Sequence, residues 1–401
     1  MSEAPTASDP IVIASAVRTP LGRFQGGLAS LTASALGARA VGAALESAGL
    51  APDKVDEVLL GNVLQAGQGQ NPARQAARAA GLPDSVPAAT INKVCGSGMK
   101  ATMLAHDLLA AGSADIIVAG GMESMSNAPY LLAKARAGYR VGHDRILDHM
   151  LLDGLEDAYE KGRSMGDFGE ATAERYQFTR ADQDAFAIET LARAQAAIKE
   201  GRFAPEIAPV TISTKDGETI VGDDENPLKV SPDKVAKLKP AFRPNGTITA
   251  ASSSANADGA AALVLTRRSV ADREGLPILA HIRAQATHSQ EPAWFTTAPI
   301  PAMRKVLARA GWEAKDVDLY EVNEAFAVVA MAAAKELGIE RNRLNVNGGA
   351  CALGHPIGAT GARLIVTLLH ALRAQGATKG VASACIGGGE ATAIAIEVPT
   401  P

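Results

Sequence analysis

Four places along the 401-residue chain hold side chains whose type and setting suit bond-making chemistry. The first is Thr90-Ile-Asn-Lys-Val-Cys95-Gly-Ser-Gly-Met-Lys100, which reads as a strand running into a Gly-rich turn and then a helix. A thiol near a helix N-terminus meets unpaired N–H groups and the positive end of the helix dipole, and both favour the thiolate. Glycines at 96 and 98 let substrate and backbone come close. Cys95 therefore has the setting of a nucleophile; the competing reading is a small buried hydrophobe. The second place is the loop Asn345 to Gly361, where His355 stands between Gly354 and Pro356 ahead of a helix. A rigid loop tip of that kind suits a general base. The third, Ala382-Ser-Ala-Cys385-Ile-Gly387-Gly-Gly389, ends a strand in a thiol and three glycines. The thiol can move protons, and backbone N–H groups of the glycine run can face a developing oxyanion, each such donor being worth about 3 to 4 kcal/mol of barrier. The fourth is Glu321-Val-Asn323-Glu-Ala-Phe326, where a strand meets a helix. An Asn there can hold a water or a carbonyl oxygen, or can merely cap the helix.

Other candidates fall away. His106, His143, His149, His281, His288 and His370 sit in helical, charged or loop contexts that suit solvated or packed roles. His143 and His149 stand at no zinc-ligand spacing from a cysteine. Cys351, four residues before His355, reads as a packed small hydrophobe, with reversible oxidation against a catalytic cysteine as the alternative. Asp167-Phe168-Gly169 spells a kinase triplet, but no Gly-rich phosphate loop or Walker sequence accompanies it.

The elements that must position these residues alternate in type. Pro10 to Pro20 is a β-branched run; Ser34 to Ala48 is an Ala-rich helix stopped by Gly49; Glu57 to Leu60 is a strand. A helix from Asn71 to Ala80, a strand from Thr90 to Val94, a helix from Ser97 to Ala111 and a strand from Asp115 to Ala119 follow. Alternation of this kind predicts an α/β fold with a mostly parallel sheet. The chain also repeats itself. ESAGLAPDKVDEVLLGNV from Glu46 matches ARAGWEAKDVDLYEVNEA from Ala308 at an offset of 262, PIVIASAVRT matches PILAHIRAQAT at 267, and ADIIVAGGME matches KGVASACIGGG at about 265. Three weak matches in order at nearly one spacing predict two copies of one α/β unit. From about Glu123 to about Ala250 runs a stretch unlike either copy, with an amphipathic helix at Thr179 to Glu200 and a polar region at Lys215 to Lys239, in the manner of an active-site cover.

Composition sets the outer bounds. Apolar residues make 47% and charged residues 20% of the chain, a globular balance. With 39 basic and 43 acidic residues the net charge is −4, which gives no basic surplus for nucleic acid. No apolar run reaches the roughly 18 to 20 residues of a membrane span. The opening MSEAPTASDP has no signal-peptide pattern, and three scattered cysteines make no disulfide scaffold, so a cytoplasmic protein with free thiols is expected.

VCGSGMKA around Cys95, NEAFA from Asn323, GHPIGATGA from Gly354 and CIGGG from Cys385 together resemble the thiolase family, in the same order and over essentially the whole chain. GGMESMSNAPY from Gly120 is most similar to its acetyl-CoA acetyltransferase branch. The resemblance implies two βαβαβαββ halves packed as five αβαβα layers. It places the N-terminal half at residues 1–122 plus 251–273, a loop domain that covers the active site and binds coenzyme A at 123–250, and the C-terminal half at 274–401. It implies a homotetramer built as a dimer of dimers, and no metal or redox cofactor, the coenzyme A thioesters being substrates.

The implied chemistry is a reversible Claisen condensation of two acetyl-CoA to acetoacetyl-CoA and CoA. Cys95, activated by His355, takes the acyl group, and Cys385 removes the α-proton of the second acetyl-CoA. His355 with a water on Asn323 forms one oxyanion hole; the N–H groups of Cys95 and Gly387 form the other. Coenzyme A contacts carry over to Met165, Phe242, Ala250, Ser254 and Phe326, with Phe295 where relatives often place a Met beside the acyl group. The chain departs from the family pattern at Ser164, Ala257, Ala391 and around Pro227 and Lys234, with Lys229 or Lys234 as substitutes at the nucleotide end. A broader-chain 3-ketoacyl-CoA thiolase is the alternative within the family. A ketoacyl synthase would lack the second cysteine, and a silent acyl-CoA carrier or scaffold would lack a catalytic residue; all four are present.

Overall fold

Eight consecutive buried residues, Ile11–Arg18 (β1), open the fold described by the computed structural model, which covers residues 9–215 and 217–399. Helix Ala33–Ala48 (α1) starts on Thr32, whose side chain accepts from the Ala35 N–H, and stops at Gly49 with φ +64°, the left-handed turn that glycine permits. Strand Glu57–Gly61 (β2), helix Pro72–Ala79 (α2), strand Ala88–Ile91 (β3), helix Ser97–Ala110 (α3) and strand Ile116–Ser124 (β4) follow. The long excursion carries helices Met165–Tyr176 (α4) and Arg180–Lys199 (α5), and the chain returns as Ala257–Arg267 (β5). The second half repeats the pattern: Ala280–Ser289 (β6), Pro299–Ala310 (α6), Leu319–Val322 (β7), Ala327–Leu337 (α7), Ile357–Gln375 (α8), Lys379–Ile386 (β8) and Glu390–Glu397 (β9).

The strands form one sheet in the order β7-β8-β9-β6-β1-β5-β4-β2-β3. Its two halves meet where β1 and β6 pair antiparallel at Val12–His281 and Ile13–Ala280, a join of two residues. Within the first half β2 is parallel to β3 and β4, and within the second β7 is parallel to β8, but the other five neighbouring pairs in that order are antiparallel. The sheet is therefore mixed and not mostly parallel, as the alternation of strand and helix led one to expect: β1, β5, β6 and β9 join without a helical crossover between parallel neighbours. The strand that would answer to β3 in the second half shrinks to a single bridge between Tyr320 and Leu344.

Three apolar clusters define the layers. Residues of α1 and α2 pack on one face of the first half, α6 and α7 on one face of the second, and α3 and α8 fill the space between. This gives helix, sheet, helix, sheet, helix. The central pair touches at glycines. A Cβ on Gly361 would lie 2.4 Å from the Met99 nitrogen, one on Gly98 2.9 Å from the Ala362 nitrogen, and one on Gly121 2.1 Å from the Gly358 oxygen. The glycine at 98 therefore makes room for a helix, not for substrate. Gly96 is likewise filled by protein, since its Cβ would meet the Ile386 side chain at 2.4 Å.

The excursion is tied to the halves by a buried ion cluster. Arg18 bonds Glu206 at 2.6 Å and Asp224 at 2.7 and 2.9 Å, all three side chains being excluded from water. Removing one member of such a cluster leaves a buried charge uncompensated.

Gly361→Ala should lower the unfolding free energy in urea by about 1 to 3 kcal/mol, the usual cost of overpacking. Gly42→Ala, whose Cβ would meet nothing within 4 Å in the middle of α1, should raise it by about 0.5 to 1 kcal/mol. Equal effects at the two positions would contradict the packing described.

Candidate active site

Cys95 stands on a sharp turn and not at the end of a strand. The strand expected through Val94 stops at Ile91, and Val94 takes φ +46°, a costly conformation for a β-branched residue. Local bonds hold it there: the Val94 N–H donates to Asn92 Oδ1 at 2.9 Å, and Ser97 Oγ accepts from the Lys93 N–H at 2.8 Å while donating to the Val94 carbonyl at 2.7 Å. The turn lifts Cys95 two residues ahead of α3. There it packs with Val63, Leu64, Met150, Leu155 and Ile357.

His355 stands two residues ahead of α8, the same station in the second half. Its own N–H donates to the Ala255 carbonyl at 2.8 Å. Nδ1 lies 2.6 Å from Thr360 Oγ1, and Nε2 is buried with no hydrogen-bond partner among the described residues. Burial, helped by the Arg363 guanidinium, pulls the imidazole down to about 3. Because Ile357 shares an apolar patch with Cys95, the helix start that carries His355 adjoins the turn that carries the thiol.

The third motif arrives on β8. Cys385 is fully buried, and Gly388 and Gly389 with φ +92° and +87° turn the chain into β9. The Gly387 N–H lies near the Cys95 sulfur and favours its thiolate, as does the N–H of Cys95 itself. These donors only partly offset burial, which pushes the Cys95 thiol up to about 11. Burial also raises the Cys385 thiol well above its ordinary value, and the nearness of Cys95 adds to the rise. Asn323 leaves the end of β7 with its N–H on the Ser383 carbonyl at 2.9 Å. Both polar atoms of its wholly buried side chain lack a partner among the described residues, so it is not spent as a helix cap. Buried polar groups seldom stay unsatisfied. Asn323 and His355 Nε2 have the character of groups kept for a water or a ligand.

Four of the expected coenzyme A positions gather in one cluster. Met165, Phe242, Phe295 and Phe326 pack together with Cys385, Phe242 meeting Phe326 edge-on at 5.7 Å. Gly166 makes this contact feasible, since a Cβ there would lie 2.2 Å from the Phe242 ring. The Met165 sulfur is 3.2 Å from where a Gly387 Cβ would be. Ser254 donates its N–H to the Ala325 carbonyl at 3.0 Å, within a segment that also bonds Ala327 and His355. Ala250 lies apart from the cluster, lining a cavity of about 280 Å³ with Lys229, Lys234, Leu191 and Cys351. Cys351 points its thiol at the Glu324 carbonyl, 3.6 Å away.

Residues 11–269 match the thiolase N-terminal domain and residues 276–398 the thiolase C-terminal domain. The chain belongs to the thiolase family. It is similar to an acetyl-CoA acetyltransferase of Chromobacterium violaceum, 48% identical over 97% of this chain and 100% of the relative. One from Pseudomonas aeruginosa is 49% identical over 96% and 98%. Among solved structures, the acetyl-CoA acetyltransferase of Bacillus anthracis superposes with a TM-score of 0.95 at 41% identity, covering 98% of this chain and 100% of that one. The layered architecture is the thiolase fold.

Two groups that hold this thiolase site together are invisible to motif reading. Glu123, wholly buried at the end of β4, accepts from Asn62 Nδ2 at 2.6 Å and from the N–H groups of Gly358 at 2.9 Å, Val63 at 3.0 Å and Leu64 at 3.2 Å. It thereby pins the start of α8 to the loop that packs on Cys95. Burial pushes its carboxyl up to about 7 against those four donors. Glu324 does the same for Asn323, accepting from Thr190 at 3.0 Å, Asn345 at 2.7 Å and the Cys351 N–H at 3.2 Å. An acidic residue inside a Gly-Met-Glu or Asn-Glu-Ala string, flanked by apolar residues, is the one sequence signal that marks them.

The depressed His355 has a thermodynamic signature. Its unfolded form takes a proton near pH 6.5 that the native form refuses, so native stability falls as pH drops below 6.5. Between pH 7.5 and pH 5 the wild type should lose about 2 kcal/mol more unfolding free energy than His355→Gln. Parallel pH curves for the two proteins would contradict a buried neutral imidazole.

Proposed function

We propose that this chain is an acyltransferase, an acetyl-CoA C-acetyltransferase that joins two acetyl-CoA into acetoacetyl-CoA and CoA and runs the thiolysis in reverse. The observation that carries the reading is the convergence at Cys95: the Gly387 amide lies near its sulfur and Cys385 is close enough for the two thiols to hinder each other's ionisation, although nearly 300 residues separate them. The names of the relatives support two-carbon chemistry, and nothing in them favours the broader-chain alternative.

In the proposed sequence His355 Nε2 takes the Cys95 proton as sulfur attacks the thioester carbonyl. The C–S bond to CoA breaks, the departing sulfur takes the proton of Cys385, and the acyl group stays on Cys95 beside a protonated His355 and a Cys385 thiolate. Cys385 then removes a proton from the methyl of a second acetyl-CoA, and the carbanion attacks acyl-Cys95. The new C–C bond forms as the Cys95–acyl bond breaks, and the Cys95 sulfur recovers its proton from His355. Negative charge develops on two different carbonyl oxygens in the two steps. The bare Nε2 of His355 takes a proton during acylation and can then donate, with a water held by Asn323, to one oxygen. The N–H groups of Cys95 and Gly387 serve the other. An unprotonated base beside a protonated thiol is the resting state that suits this order of events.

The cluster of Met165, Phe242, Phe295 and Phe326 would take the acyl and pantetheine end, with Ser254 at its edge. The cavity at Ala250, with Lys229 and Lys234, would receive the charged end. The division into 1–122 plus 251–273, 123–250 and 274–401 is proposed on the same footing, with Arg18 joining the inserted part to β1. Residues 130–159 expose Tyr130, Val141, Ile146 and Tyr159, apolar surface that supports assembly of the chain into a homotetramer. No helix among the described residues is long and apolar enough to cross a membrane, and a cytoplasmic location with acetyl-CoA, acetoacetyl-CoA and CoA as partners completes the proposal.

Cys385→Ala should still form acetyl-Cys95, seen by mass spectrometry after mixing with acetyl-CoA, yet fail to condense. Near wild-type condensation would remove Cys385 from proton transfer. Across 3-oxoacyl-CoA substrates from C4 to C16, thiolysis should strongly favour C4; activity that stays flat to C16 would point to the broader-chain enzyme.

A further inference from the structure

The ring of His355 is held from one side only. Its Nδ1 lies 2.6 Å from Thr360 Oγ1, one helical turn into α8, and that same hydroxyl lies 2.9 Å from the Pro356 carbonyl. Both side chains are buried, Thr360 completely. A threonine hydroxyl has one hydrogen to give. The Pro356 oxygen can only accept, so a hydroxyl that donates to it must accept from Nδ1, and the ring hydrogen then sits on Nδ1. The reverse arrangement puts the hydrogen on Nε2, which would leave a buried N–H without an acceptor among the described residues.

We propose that Thr360 is a positioning residue that fixes His355 in the Nδ1–H tautomer, so that Nε2 faces the Cys95 thiol as a bare lone pair. The arrangement also serves the protonated ring. When Nε2 takes the Cys95 proton, the Nδ1–H bond to Thr360 and the Thr360 bond to Pro356 stay as they are, and no group in the relay has to turn. Thr360 thus has no part in bond making; it decides which nitrogen is basic before substrate arrives. The inference rests on His355 being the base for Cys95.

The test uses the intact enzyme and compares Thr360→Val, which keeps the shape and loses the hydroxyl, with Thr360→Ser, which keeps the hydroxyl. Alkylation of Cys95 by iodoacetamide at pH 7.5, followed by peptide mass spectrometry, reads base assistance directly. Thr360→Val should slow it at least about tenfold and lower kcat by a similar factor, since a base in the wrong tautomer forfeits most of its effect. KM for acetoacetyl-CoA should stay within about twofold, and Thr360→Ser should stay within about threefold of wild type in every reading. Wild-type alkylation in Thr360→Val, or equal loss in the Ser and Val variants, would overturn the proposal. His355→Gln separates the two layers: if it slows alkylation while Thr360→Val does not, only the tautomer assignment fails, and if it has no effect the base itself is wrong. Nitrogen-15 NMR of the histidine-labelled wild type needs no variant: it should report a hydrogen on Nδ1 of His355, and a hydrogen on Nε2 would refute the assignment.

Discussion

Contact between α3 and α8 at bare glycine positions is the constraint on which the site depends. Gly61, Gly98, Gly121, Gly358 and Gly361 each leave a space that a Cβ would fill with a clash below 3 Å against backbone of a neighbouring element. Helices and strands that meet backbone to backbone have little freedom to slide, because interiors are close-packed. The two central helices therefore start side by side. Since Cys95 and His355 each stand two residues ahead of one of those starts, the packing of the halves places the proposed nucleophile beside the proposed base.

Burial, complete at Cys385, nearly so at His355 and partial at Cys95, follows from the same packing and sets the electrostatics. It raises the Cys95 and Cys385 thiols and lowers the His355 imidazole, so all three groups rest neutral. In the proposed reaction the cost of separating charge in such a place would be met by fixed donors, the N–H groups of Cys95 and Gly387, which need no reorganisation when an oxyanion forms. Acidic and basic side chains stand one layer back. Arg363 pairs with Glu321 at 3.3 Å, and Glu123 and Glu324 spend their carboxylates on backbone and amide donors of the loops that carry the site.

The fold was largely legible in the sequence because a duplication leaves its mark at fixed offsets. The strand and helix from Glu57 and from Leu319 recur as read, and Gly49 and Gly311 stop helices in the left-handed conformation in both copies. Errors fell where tertiary contacts override local preference. Thr90 to Val94 looks like one strand by side-chain type, yet the turn that presents Cys95 takes its last residues out of the sheet. Asp115 to Ala119 proved to be the first part of a strand that runs to Ser124, because Gly120 and Gly121, weak strand formers alone, are held between β2 and β5. The four motif residues were legible as chemistry. Glu123, Glu324 and Arg363 were not, since their importance lies in partners tens to hundreds of residues away, and Thr360 was not, since only the folded turn ahead of α8 brings its hydroxyl onto the His355 ring. The glycines at 96 and 98 were read as room for substrate when they are room for protein.

All of this requires that sulfurs from the two halves open on one cavity. The most direct measurement is bridging by a short bifunctional alkylating reagent, 1,3-dibromoacetone, added at one equivalent per chain, with the products mapped by peptide mass spectrometry. A single linked peptide pair joining Cys95 to Cys385 is predicted, and acetyl-CoA should protect against its formation. Separate mono-alkylation of the two cysteines, with no bridged product, would place them in different surroundings and contradict the account.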